Sequence, residues 1–175
     1  PNVFKDLDRG VYVNNWNPLN VPSISNSQFI NNTGYGAYFM NANTLVFQKN
    51  LVQNPGNYMA WSGVYLNNCK YYTIKSNTFT EDLNNKASVA LSIYNSGNGA
   101  HQVYRNSFSK SWIGVNAMGN NSGLTNSIDG LKMNCNDFTP TANLYDIALD
   151  LGNSSVAPSV MKKQGETQQS LMSVT

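Results

Sequence analysis

The chain has 175 residues, enough for one domain with its own core. Hydrophobic residues make up 41 % and charged residues only 11 %, against about 25 % in an average globular chain, so a charge-rich disordered chain and a coiled coil are excluded. With 11 Lys+Arg against 9 Asp+Glu the net charge is +2; no basic run tracks a phosphate backbone, and no apolar run of 18 or more residues spans a membrane.

Neutral polar groups solubilise the chain: 29 Asn, 18 Ser and 10 Thr. It begins Pro1-Asn2-Val3, with no Met and no charged-then-apolar leader, which reads as a processed product or a fragment. The first strand signal is Gly10-Val11-Tyr12-Val13, small then apolar, any, apolar. It returns as Gly36-Ala37-Tyr38-Phe39, Gly63-Val64-Tyr65-Leu66, Ser88-Val89-Ala90-Leu91, Trp112-Ile113-Gly114-Val115 and Asp146-Ile147-Ala148-Leu149. Its first apolar positions are 11, 37, 64, 89, 113 and 147.

A second signal interleaves with it: apolar, two residues, Asn, one residue, large apolar. Ile24-Ser25-Asn26-Ser27-Gln28-Phe29 is the earliest copy, with Ser in place of the Asn. Phe47 to Val52, Ile74 to Phe79, Val103 to Phe108 and Met133 to Phe138 carry Asn50, Asn77, Asn106 and Asn136. The closing apolar positions, 29, 52, 79, 108 and 138, hold four of the seven Phe in the chain.

The period is thus about 24–30 residues, with two short two-residue-alternating strand signals in each and no segment of 3.6 periodicity. Strands of four to six residues between Asn and Gly corners predict an all-β fold, a right-handed single-stranded parallel β-helix of about six coils over residues 1–152. Residues 153–175, rich in Ser, Gln and Lys, read as a tail, a linker or the start of a following segment. Neither end shows an amphipathic capping helix, so a longer parent chain is expected.

In such a solenoid Phe29, Val52, Phe79, Phe108 and Phe138 form one interior column. Ile24, Phe47, Ile74, Val103 and Met133 form another. Asn50, Asn77, Asn106 and Asn136 fall at a corner, where stacked amides make a ladder and Asn tolerates left-handed backbone angles. Ser25, Gln48, Lys75, Tyr104 and Asn134 are expected to point outward.

The repeated Ile/Val-x-x-Asn-x-Phe with Gly-Val-x-Leu resembles the parallel β-helix repeats of the pectate-lyase-like superfamily, over roughly residues 10–150. The stretch Leu131-Lys132-Met133-Asn134-Cys135-Asn136-Asp137-Phe138, with Tyr145-Asp146-Ile147-Ala148-Leu149 and Lys163-Gln164-Gly165, is similar to segments of large secreted Bacteroidota proteins. Such proteins are often cargo of the type IX secretion system. The resemblance implies a secreted or cell-surface location, and export or surface-attachment machinery as a partner. It fixes the fold better than the activity.

Variable corners after the Phe column hold Tyr58, Trp61, Glu81 and Asp82, with Trp112 at the shortest one. The stretch from Ala117 to Ile128 reads as a Gly/Asn/Ser-rich loop. Tyr12, Tyr38 and Tyr65 occupy the outward place in three successive strands and predict an external aromatic ladder, suited to sugar rings. The acids, Asp6, Asp8, Glu81, Asp82, Asp129, Asp137, Asp146, Asp150 and Glu166, recur at no common offset. No catalytic pair follows from them.

His101 sits at the offset of Leu45, Tyr72 and Leu131, a stacking position. Cys69 and Cys135 lie 66 residues apart, without metal-ligand spacing. No catalytic residue, metal or cofactor is expected. The sequence reads first as a non-catalytic β-helix segment for adhesion, glycan contact or structural spacing. A pectate-lyase-like carbohydrate-active enzyme and a phage or fibre receptor-binding module are the alternatives.

Overall fold

The computed structural model describes residues 1–14, 21–54, 62–81, 88–123, 130–139, 143–151 and 159–160. The first turn comprises β1 (Val3–Lys5), β2 (Arg9–Asn14) and β3 (Ser23–Ser25). The second holds β4 (Gln28–Ile30), β5 (Tyr35–Met40) and β6 (Val46–Gln48). The third holds β7 (Leu51–Asn54), β8 (Ser62–Asn67) and β9 (Thr73–Lys75). The fourth holds β10 (Thr78–Glu81), β11 (Val89–Tyr94) and β12 (Ala100–Tyr104). The fifth holds β13 (Ser107–Ser109), β14 (Ile113–Met118) and β15 (Gly130–Asn134), and β16 (Asp137–Phe138) and β17 (Tyr145–Asp150) follow.

Each strand pairs in parallel with its equivalent one turn away. The first sheet is β1-β4-β7-β10-β13-β16, the second β2-β5-β8-β11-β14-β17, the third β3-β6-β9-β12-β15. The expected parallel β-solenoid is therefore observed. Its coil count is trimmed: among the described residues there are five turns of three strands and a sixth of two. Three strands per turn, rather than two, arise because the Asn motif is not one strand. It breaks at a corner where Lys49, Ser76, Arg105 or Cys135 takes a positive φ. That left-handed residue precedes the Asn, which corrects the expectation that the Asn itself adopts this conformation.

The Asn side chains turn inward instead. The Oδ1 of Asn77 accepts from the backbone N–H of Asn50 at 2.9 Å and from its Nδ2 at 3.2 Å. Asn106 does the same for Asn77, and Asn136 for Asn106. Each Nδ2 also donates to a carbonyl of the preceding turn, from Asn50 to Ile24, Asn77 to Phe47, Asn106 to Ile74 and Asn136 to Val103. Buried corner groups that no sheet can satisfy are thereby paired.

The predicted columns stand. Phe29 lies in register with Val52, Val52 with Phe79, Phe79 with Phe108 and Phe108 with Phe138. Phe79 and Phe108 stack at 4.9 Å and 9°, and Phe108 and Phe138 at 5.0 Å and 13°. Phe4 extends the column below Phe29 at 4.9 Å. Ile24, Phe47, Ile74, Val103 and Met133 align likewise in the third sheet.

In the second sheet the register departs from the sequence pattern. Val64 pairs with Leu91, and Leu91 with Val115, so the interior row is 11, 37, 64, 91, 115, 147. Val89 and Ile113 stand one row earlier, level with Ser62. The small residue of the motif has a steric cause. A Cβ on Gly36 would lie 2.5 Å from the Gly63 carbonyl oxygen and 3.3 Å from both Phe29 and Val52. The sheet presses here against the Phe column, and only a residue without a side chain fits.

Candidate functional site

The outward row of the second sheet brings Tyr12, Tyr38 and Tyr65 into direct register. Tyr12 and Tyr38 stack at 5.3 Å and 26°, Tyr38 and Tyr65 at 5.1 Å and 19°. The predicted ladder exists because parallel in-register strands place equal side chains one strand spacing apart, close to the stacking distance of aromatic rings. It ends after three turns: Ser92, Asn116 and Ala148 continue the row.

Two further residues complete the patch. Tyr35 packs edge-on to Tyr38 at 5.0 Å and tilted against Tyr65 at 5.6 Å. Arg9, in register with Tyr35, holds its guanidinium 5.3 Å from the Tyr12 ring, 5.9 Å from Tyr35 and 5.6 Å from Tyr38. Both precede the Gly of the strand signal, a position to which the alternation pattern gives no role. Such cation–π contacts hold a positive charge against an amphipathic aromatic surface. The faces of Tyr38 are covered by its two neighbours, so the ladder offers ring edges and phenol groups. Tyr12 remains 49 % exposed. Burial pushes the Tyr65 phenol up to about 12, helped by the charges of Tyr38, Tyr35 and Tyr94. Tyr35 is also raised, chiefly by burial.

Of the other candidates, the structure describes Trp112 and Glu81. Trp112 is 40 % exposed at the corner before β14. Glu81, expected in a loop, instead closes β10 and is only 3 % exposed. Tyr58, Trp61 and Asp82 lie outside the described residues. The expected loop from Ala117 begins later, because Ala117 and Met118 finish β14; residues 124–129 lie outside the described residues.

Among the acids, Asp6 faces Lys5 at 3.6 Å and Asp8 faces Arg9 at 3.5 Å, both on the surface. Asp137, Asp146 and Asp150 are exposed in the last turn.

His101 occupies the stacking position expected of it. It is 1 % exposed, in register with Leu131, and stacks on Tyr72 at 4.7 Å and 11°. Its Nδ1 accepts from the Tyr71 N–H at 3.0 Å, and its Nε2 lies 3.3 Å from the Gly97 carbonyl oxygen. This is a neutral imidazole protonated on Nε2, with both nitrogens engaged. Cys69 is buried and Cys135 exposed, both as free thiols. The Cys69 thiol contacts the Phe39 and Asn67 carbonyls, and burial pushes it up to about 11. Among the described residues no group of three or more His, Cys, Asp and Glu could hold a metal ion.

A family model described as "Periplasmic copper-binding protein (NosD)" matches residues 1–146. No curated protein and no solved structure matches the chain. No helix among the described residues is long and apolar enough to cross a membrane.

Proposed function

The chain belongs to the NosD family, and from that footing we propose that it is a non-catalytic β-helix segment that acts outside the cytoplasm, in adhesion or structural spacing, and contacts glycans through the tyrosine face of its second sheet. The observation that carries this reading is the patch of Tyr12, Tyr35, Tyr38 and Tyr65 under Arg9. Phenol hydroxyls and a guanidinium supply directional hydrogen bonds, while the ring edges and the open face of Tyr12 supply apolar contact. The family description names the periplasm, and the similarity of Leu131 to Phe138 to exported proteins supports a place outside the cytoplasm, reached as cargo of a dedicated export machinery.

The family description also names copper, whose protein ligands are imidazole, thiolate and thioether groups. The described imidazole and thiol donors do not fit. His101 has both nitrogens engaged in a buried stack, and the Cys69 thiol is held protonated by burial. Cys135 is exposed at a corner and belongs to no cluster of three His, Cys, Asp or Glu among the described residues. No step of this reading passes through copper.

The test is a glycan array followed by titration of tyrosine fluorescence with the oligosaccharides retained. Saturable quenching in the native chain, lost in Tyr38→Ser, supports the reading. A silent array, or quenching that survives Tyr38→Ser unchanged, overturns it.

A further inference from the structure

The third sheet carries a charge pattern that the tyrosine face does not use. One outward row is Ser25, Gln48, Lys75, Tyr104, Asn134 and the next is Ser23, Val46, Thr73, Gln102, Lys132, in register from strand to strand. The corner after each strand holds Asn26, Lys49, Ser76, Arg105 or Cys135, all at positive φ. These corners are also in register: the Lys49 N–H donates to the Lys75 carbonyl, and the Arg105 N–H to the Asn134 carbonyl.

Four successive turns therefore contribute one cation each to this face: Lys49, Lys75, Arg105 and Lys132. No Asp or Glu occurs in β3, β6, β9, β12 or β15, or at the corners that follow them.

Two of the four cations converge on one ring. Lys75 Nζ lies 5.7 Å and Arg105 Cζ 4.9 Å from the centroid of Tyr104. The turns repeat about every 4.8 Å, so the four charges extend about 14 Å along the axis; they also spread about 10 Å across it, over three residue steps of about 3.3 Å. The charges are scattered over an open sheet face rather than drawn up in single file along a groove.

We propose that this face docks on an anionic lipid surface, with Lys49, Lys75, Arg105 and Lys132 against phosphate-bearing headgroups and Tyr104 among them. A planar array of cations complements a planar array of anions, and an amphipathic tyrosine suits the headgroup layer. Each cation near such a surface is worth about a fivefold change in partitioning, weakened by salt. The surface belongs to a different sheet from the tyrosine patch, so the two readings fail independently.

The experiment is co-sedimentation of the full chain with phosphatidylcholine vesicles, with and without phosphatidylglycerol. Binding to the anionic vesicles alone, abolished by high salt, is the expected result. Lys75→Gln with Arg105→Gln lowers that partitioning by roughly 25-fold, at two charges of about fivefold each. Lys49→Gln, exposed at its corner, lowers it about fivefold. Tyr38→Ser leaves it unchanged. Equal binding to neutral vesicles, full binding by the double variant, or retention of a soluble polyanion such as single-stranded DNA without vesicle binding overturns the proposal.

Discussion

The corner between the third and first sheets and the outer face of the second sheet obey one stacking rule, and they differ in how far it runs. At the corner the same side chains continue through Asn50, Asn77, Asn106 and Asn136, beside Phe rings that reach Phe138. On the outer face tyrosine holds for three turns and then gives way to Ser92, Asn116 and Ala148, although the strands go on pairing. Inside, each amide serves the turns on both sides of it, so one exception would leave buried groups unpaired. Outside, the sheet goes on pairing without tyrosine, and there Ser92 and Asn116 are covered, at 3 % and 8 % exposure. Regularity that packing enforces points to the fold, and regularity that packing does not enforce points to a role.

The largest effect that separates the two regions is expected at Phe108, sandwiched between Phe79 and Phe138. Phe108→Ala removes a fully buried ring and costs about 3–5 kcal/mol, read as a fall in the urea midpoint. Phe138→Ala, on a partly exposed ring, costs less than half of that. Equal losses at the two positions would mean that the column is not the core.

Next comes the ladder itself. Asn77→Leu keeps the branched shape but leaves the Asn50 N–H and the Phe47 carbonyl without their partner. Each orphaned buried group costs about 1–3 kcal/mol, so a total of about 3 kcal/mol is expected in the same unfolding measurement. A loss below about 1 kcal/mol would show that the amides are passengers of the packing, because it would not reach the cost of a single orphaned group.

These two positions were legible in the sequence because an interior column admits few side-chain types. Phe29, Phe79, Phe108 and Phe138 therefore repeat at a readable interval. The third strand of each turn was not legible, since the Asn motif crosses a corner without any Gly or Pro to mark it; Lys49, Ser76 and Arg105 take the left-handed conformation instead. The row of Leu91 and Val115 was misread because Val89 and Ile113 satisfy the same apolar rule two residues earlier.

The tyrosine ladder was visible from its alternation, whereas Arg9 and Tyr35 were not, lying before the Gly where the pattern assigns no side. The cationic face is invisible to any search for a charged run. Lys49, Lys75, Arg105 and Lys132 stand 26, 30 and 27 residues apart, and only the coiling brings them together.

A smaller effect is expected on the outer face. Tyr38→Ser removes a ring stacked on both sides but partly exposed, and costs about 1 kcal/mol, within the range of cross-strand aromatic pairs. Binding of an oligosaccharide would fall far more than stability does. A stability loss as large as that of Phe108→Ala would make the tyrosines a second core and erase the distinction between the two regions.

The last effect appears only at high pH. The Tyr65 phenol is pushed up to about 12 in the folded chain from an ordinary value of 10.0, first by burial and then by Tyr38. Its folded value is the higher one, so the neutral form is favoured by folding. That contribution is complete below pH 10 and is lost as pH rises from there toward 12, while the unfolded chain ionises first. Cys69 acts in the same sense one step earlier, between its ordinary 9.0 and about 11. The unfolding midpoint should therefore be flat through neutral pH and begin to drop above about 9, where the thiol of the unfolded chain first ionises. Tyr38→Ser both opens Tyr65 to water and removes its nearest phenol, so the tyrosinate absorbance of Tyr65 should titrate closer to 10. Tyr72, buried in the interior and raised chiefly by that burial, should not move. A variant in which Tyr65 still titrates near 12 would assign its burial to the sheet beneath it rather than to the ladder, and the outer face would then be three separate tyrosines rather than one surface.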